Sequence, residues 1–205
     1  MLNYQLPFRK DRGVDKQGGG VVVYVKDNIQ TTRRLDLELN NLECVWLQLR
    51  INNKKILYGS FYVPPNSSRD VWTDIEVSFE MALNDNSIDY IIINGDFNEN
   101  QLNLRNTKVK SLLDQFSLTQ LVDEPTHFTE NSSSCLDLIM TNNVNSIPYS
   151  GVGSPLLTKL DTTVLLLVSL MPPKPNKNLT KGKFGYMIVV TTMNLIRYCP
   201  ILIGS

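Results

Sequence analysis

Three isoleucines, Ile91 to Ile93, run directly into Asn94-Gly95-Asp96-Phe97-Asn98. A carboxylate and a carboxamide two residues apart could accept a proton and orient an anion. The run before them is short, β-branched and unbroken, which suits a strand covered on both faces. Gly95 allows the chain to turn. On an extended backbone side chains alternate, so Asp96 and Asn98 are expected to point the same way and Phe97 into the core. Strand ends of this kind are where scaffolds place chemistry. An Asx-rich turn closing a hairpin accounts for the same residues, and spacing alone does not choose between the two.

The elements that must carry this pair are legible in outline. Val21 to Lys26, Glu43 to Arg50 and Lys55 to Val63 read as strands, with Asn52-Asn53 as a hairpin turn between the last two. Val71, Ile75, Phe79 and Leu83 recur every four residues and predict a helix, with Ser67 or Ser68 as cap and Asp70 in its first turn. Val109, Leu112, Leu113 and Phe116 predict a second, from Lys108 to Phe116, capped by Thr107. Cys135 to Thr141 and Thr163 to Leu170 read as further strands. Strands outnumber helices and helices interrupt them singly, so an α+β sandwich is expected, sheets inside and helices outside. The polar opening residues, including PFRKDRGVDKQ, read as a surface loop. Gly18-Gly19-Gly20 lacks phosphate-cradle spacing and leads into a strand, which favours a tight turn.

With 205 residues and a 42% apolar share, the chain fits one domain with a tail. Lys plus Arg and Asp plus Glu both number 20, so no basic footprint advertises nucleic acid. Arg9, Lys10, Arg12 and Lys26 are candidate phosphate contacts, against a simpler reading as solvated loop charges. Cys44, Cys135 and Cys199 are far apart, with no CxxC pair to indicate zinc or a disulfide framework, and a reducing, intracellular setting is the simpler assumption. No apolar leader follows Met1, and the three Asn-x-Ser/Thr sequons are taken as chance.

Taken in order, QLPFRKDR (5–12), GGGVVVYVKDNI (18–29), YVPPN (62–66), NGDFN (94–98), PTHFT (125–129), CLDLI (135–139) and Leu160-Asp161 form a set. That set resembles the endonuclease/exonuclease/phosphatase superfamily, and within it the endonuclease domain of non-LTR (LINE-type) retrotransposon polyproteins. The resemblance spans residues 3 to 170. It implies a four-layer α/β sandwich and Mg²⁺-dependent phosphodiester cleavage that nicks DNA, with nuclear residence following from the element's life cycle. By the same resemblance, Asp96 activates the attacking water and Asn98 holds that water or the phosphate. Tyr62 reaches the phosphate and Thr126 supplies a hydroxyl contact. Asp137 orients a catalytic histidine, and Asp161 helps hold the metal. A hard cation suits the anionic transition state, and a neutral amide and phenol donate hydrogen bonds without competing for it.

The sequence departs from that pattern at three places. Leu160-Asp161-Thr162 stands where the family reads Ser-Asp-His, and the only histidine is His127, in another segment. Loss of one general acid or base costs about 10²–10⁴-fold. The family's first-strand asparagine and metal-binding glutamate are expected before Asn3, and Glu38 and Glu43 come after that point, so the sandwich is expected to be incomplete. Residues 171 to 178 read as a linker, and 171 to 205 as linker plus aberrant tail. The apolar stretch 184 to 203 is broken by Asn194 and Arg197, which argues against a membrane span, and a shifted reading frame is the expectation for it.

Overall fold

The computed structural model describes residues 4–12, 20–102, 107–129, 131–147, 149–152, 166–169 and 187–192. Its strands begin with β1 (Phe8–Asp11), β2 (Gly20–Val23), β3 (Gln30–Arg33), β4 (Glu43–Ile51) and β5 (Lys54–Tyr62). Helix α1 (Arg69–Leu83) leads to β6 (Tyr90–Asp96), and α2 (Lys108–Phe116) to β7 (Thr119–Gln120). Then follow β8 (His127–Phe128), β9 (Ser133–Ser134), β10 (Asp137–Thr141), β11 (Tyr149–Val152), β12 (Leu166–Ser169) and β13 (Met187–Thr192). Phe8–Asp11 is a strand paired with β2, so the opening segment is not the surface loop its polarity suggested. Phe8 and the β2 valines give that segment a packed face, which charge counting overlooks.

Asn52 and Asn53 both take left-handed backbone angles, φ 50° and 62°, as a two-residue hairpin turn between β4 and β5 requires. From β5 the chain must return to lie parallel, and it does so through α1 into β6. The result is a six-stranded mixed sheet, β3-β4-β5-β6-β10-β7, in which only β5 and β6 run parallel. A five-stranded antiparallel sheet, β1-β2-β13-β12-β11, packs on one of its faces. Met187–Thr192 lies inside this second sheet, between β12 and β2.

The other face of the six-stranded sheet is covered by α1 and α2. Trp46 Nε1 donates to Ser78 Oγ of α1 at 2.9 Å, and the hydroxyl donates on to Leu37 O at 2.8 Å. Phe79 packs edge-on against Trp46, Phe61 and the Phe116 ring of α2. Thr107 Oγ1 accepts from Lys110 N and caps α2 as its sequence predicts. Ser68 is the N-cap residue of α1, but its side chain makes no capping bond. The described residues therefore form three layers: helices, mixed sheet and antiparallel sheet.

Candidate active site

Register brings the expected residues together. Tyr62 ends β5, Asp96 ends β6 and Asp137 begins β10. Tyr62 is the partner of Asp96 across the parallel ladder, and Asp96 the partner of Asp137 across the antiparallel one. Adjacent strands lie about 4.8 Å apart, so the three form one row across the sheet. The row sits at the carboxyl ends of the two parallel strands, where open α/β sheets place ligands. Its residues share parity with buried Ser60, Asn94 and Ile139, which face the five-stranded sheet.

Backbone bonds hold the row in place. Val63 N donates to Asp96 O at 2.8 Å and Phe97 N to Leu136 O at 2.9 Å, which continues the ladder past Asp96 on both sides. Gly95 has φ 145°, and a Cβ there would stand 1.8 Å from Phe61 O. Only glycine lets β6 approach β5 this closely just before the carboxylate.

Asn98 departs from the expected alternation. Its φ is 51°, so the strand ends at Asp96, and its backbone N–H donates to Asp96 Oδ1 at 2.9 Å. The two side chains are neighbours through an Asx turn rather than through an extended strand. The Asn98 amide donates to Val63 O at 3.0 Å, tying this turn to the end of β5. Phe97 is buried, as expected, and stacks on Phe61.

Thr126 is fully buried. Its Oγ1 accepts from Leu136 N and Asp137 N, each at 3.0 Å, so it fixes the start of β10 and the backbone beneath Asp137. His127 pairs with Ser134 on the separate β8–β9 hairpin, outside the row. Asp161 and Thr162 lie outside the described residues.

Burial raises the Asp96 carboxyl to about 7, and the nearby Asp137 carboxylate adds to the rise, while the hydrogen bond from Asn98 pulls partly back. Two carboxylates brought together in this way suit a divalent cation, and Mg²⁺ commonly takes only one or two of them beside water and phosphate. Among the described residues no group of three His, Cys, Asp or Glu is positioned to hold a metal. A cation here would therefore rest on Asp96 and Asp137, with Asp161 as the further candidate.

Two further residues belong to the site: Glu43, set aside as a metal ligand on sequence grounds, and Arg12, left open there between a phosphate contact and a solvated charge. Glu43, at the start of β4, is the register partner of Tyr62 and extends the row to a fourth strand. Its signal was present: a two-residue turn at Asn52-Asn53 pairs 51 with 54 and therefore 43 with 62. Arg12 bonds Glu43 from Nε at 2.8 Å to each carboxylate oxygen, and its guanidinium carbon lies 4.5 Å from the Tyr62 ring centroid. Arg9 instead pairs with exposed Asp11, and Lys10 Nζ donates to Leu39 O.

Two packed sheets thus end in a row of one phenol and the carboxylates of neighbouring strands. The model of the endonuclease/exonuclease/phosphatase family matches residues 2–158, and the chain belongs to that family. Among solved structures it is similar to the endonuclease domain of TRAS1, a telomere-specific non-LTR retrotransposon, at 15% identity and TM-score 0.58, over 94% of this chain and 81% of that one. An endonuclease/exonuclease/phosphatase family protein from Bacteroides thetaiotaomicron matches at 13% identity and TM-score 0.46, over 64% of this chain and 58% of that one. A beta toxin variant from Staphylococcus aureus with bound magnesium ions matches at 14% identity and TM-score 0.43, over 75% and 58%. The first of these likenesses shows the fold. No curated protein matches the chain. Family membership implies phosphodiesterase or nuclease activity and a nucleic-acid substrate. Among the described residues, no helix is long and apolar enough to cross a membrane.

Proposed function

We propose that this chain is the endonuclease domain of a non-LTR retrotransposon, a Mg²⁺-dependent phosphodiesterase that nicks DNA. The observation that carries the proposal is the Tyr62–Asp96–Asp137 row, with the Asp96 carboxyl raised to about 7. A general base works best when its proton affinity lies near the operating pH. Asp96 takes the proton of the attacking water. The Asn98 turn holds Asp96 in place, and Tyr62 donates to a phosphoryl oxygen. In the metal-free site Asp137 keeps the proton affinity of Asp96 high, and it is the carboxylate that would help hold the cation. When bound, Mg²⁺ offsets the charge that develops on the phosphoryl oxygens.

Thr162 stands where the family motif has histidine, so turnover is slow in this reading, by about 10²–10⁴-fold against a complete site. The same residue supports a second reading, in which the chain binds DNA without cutting it. Conversion of supercoiled plasmid to open circle, with Mg²⁺ and with EDTA, separates the two. Mg²⁺-dependent nicking by wild type that disappears in Asp96→Asn supports the enzyme. Salt-sensitive binding with no nicking selects the second reading. Nicking that survives in Asp96→Asn defeats the role given to Asp96.

A further inference from the structure

Arg12 is unlike a solvated surface cation. Its side chain is 17% exposed, and that of its partner Glu43 is 16% exposed. Burial opposes its charge, but Glu43 and a hydrogen bond to Tyr62 more than offset that cost, so the guanidinium pKa lies above its ordinary value. The group is held twice, by Nε on Glu43 and by the Tyr62 ring, whose centroid lies 4.5 Å from the guanidinium carbon. Arginine carries five N–H donors in a rigid fork. Beyond Glu43 and Tyr62, its two Nη groups have no acceptor among the described residues. The ring contact leaves the Tyr62 O–H able to donate.

The nearby charges give these donors a purpose. The row holds three carboxylates, Glu43, Asp96 and Asp137, and the chain as a whole is neutral. A DNA phosphate approaching Tyr62 therefore needs a local cation. We propose that Arg12 and Tyr62 form one phosphate clamp: Arg12 binds, through its Nη edge, the same DNA phosphate that Tyr62 contacts, and Glu43 holds the fork in position. This assignment rests on the DNA-cleaving reading above. A preorganised arginine fork is well suited to it, because little side-chain freedom remains to be lost on binding.

The test is equilibrium binding of a fluorescein-labelled 20-base-pair duplex by the full chain in EDTA, followed by anisotropy over a series of NaCl concentrations. Arg12→Gln removes the charge but can keep a planar amide over the ring. It is expected to weaken binding about tenfold or more and to reduce the slope of log K against log [NaCl] by about one. A purely structural arginine would leave that slope unchanged. Arg12→Lys keeps the charge and loses the fork, so it weakens binding with the slope retained; should Arg12→Gln fail to fold by circular dichroism, Arg12→Met, which removes the charge but keeps an apolar stem beside the ring, is read for the slope in its place. Lys54→Ala, at the exposed Lys54–Asp89 pair at the other end of β5, serves as the control and changes affinity less than about twofold. Wild-type affinity and slope in the folded Arg12 variants would overturn the clamp while leaving the DNA reading intact. Absence of salt-dependent binding by wild type would remove both.

Discussion

Asp96 is the residue on which chemistry and stability meet. Its raised proton affinity has two sources, burial first and Asp137 second. Only the second can be removed without dismantling the site. In the metal-free protein the Asp96 carboxyl is expected to titrate near 7, and a cation bound beside it would lower that midpoint. Asp137→Asn should move that midpoint down without returning it to the ordinary carboxylate range, since burial persists. Carbon-13 titration of the carboxyls in EDTA, from about pH 3 to 9, reads this directly. The observed midpoints belong to the coupled pair rather than to either residue. An unshifted midpoint in Asp137→Asn would show that the two carboxylates do not interact. Sequence alone named both residues through their motifs, but not their mutual effect, because Asp96 and Asp137 are 41 positions apart and meet only through strand register. Arg12 was harder still. It looked like a loop charge, and nothing local to residues 9–12 indicates the aromatic ring it covers.

The elements were easier to read than their neighbours. The predicted α2 matches Lys108–Phe116, and the Asn52-Asn53 turn behaves as its residues demand. Hydrophobic period and turn chemistry are local, so they survive without tertiary information. Strand order is not local. The β5–α1–β6 crossover, the insertion of β10 beside β6 and the place of β13 beside β2 had no sequence signal. Alternation also misled at Asn98, where an Asx turn replaces the extended backbone. The element that tolerates least change is the end of β6. Gly95→Ala places a methyl 1.8 Å from Phe61 O at a φ of 145°, so β5 and β6 must separate at Tyr62 and Asp96. A loss of about 3 kcal/mol or more is expected, combining backbone strain and broken ladder bonds. Urea unfolding measures it; a loss below about 1 kcal/mol would mean the strands part there without cost.

At the scale of the whole molecule, the site draws on stability that the helix side of the sheet supplies. Phe116 of α2, Phe79 of α1, Phe61 of β5 and Phe97 beyond β6 make consecutive ring contacts, with centroids 6.0, 5.5 and 6.1 Å apart. This chain of rings lies across the sheet from the carboxylate row and anchors the strand ends that carry it. Phe79→Ala is expected to cost about 3–5 kcal/mol, a large share of the roughly 5–15 kcal/mol a domain has. Asp96 works in the opposite direction. Its folded-state carboxyl titrates near 7, against an ordinary value of 3.8, so between those pH values the folded protein keeps a proton that the unfolded chain has released. Stability therefore falls as pH rises from about 4 to about 7, and Asp96→Asn should recover on the order of 3–4 kcal/mol at pH 8 and almost nothing at pH 4. The two changes act on opposite faces of the sheet and by different forces, so their effects should add. The double variant Phe79→Ala/Asp96→Asn is then expected to approach wild-type stability at pH 8 and to remain as weak as Phe79→Ala at pH 4. Urea midpoints at the two pH values decide the matter: equal deficits at both would mean that ionised Asp96 imposes no cost on the fold.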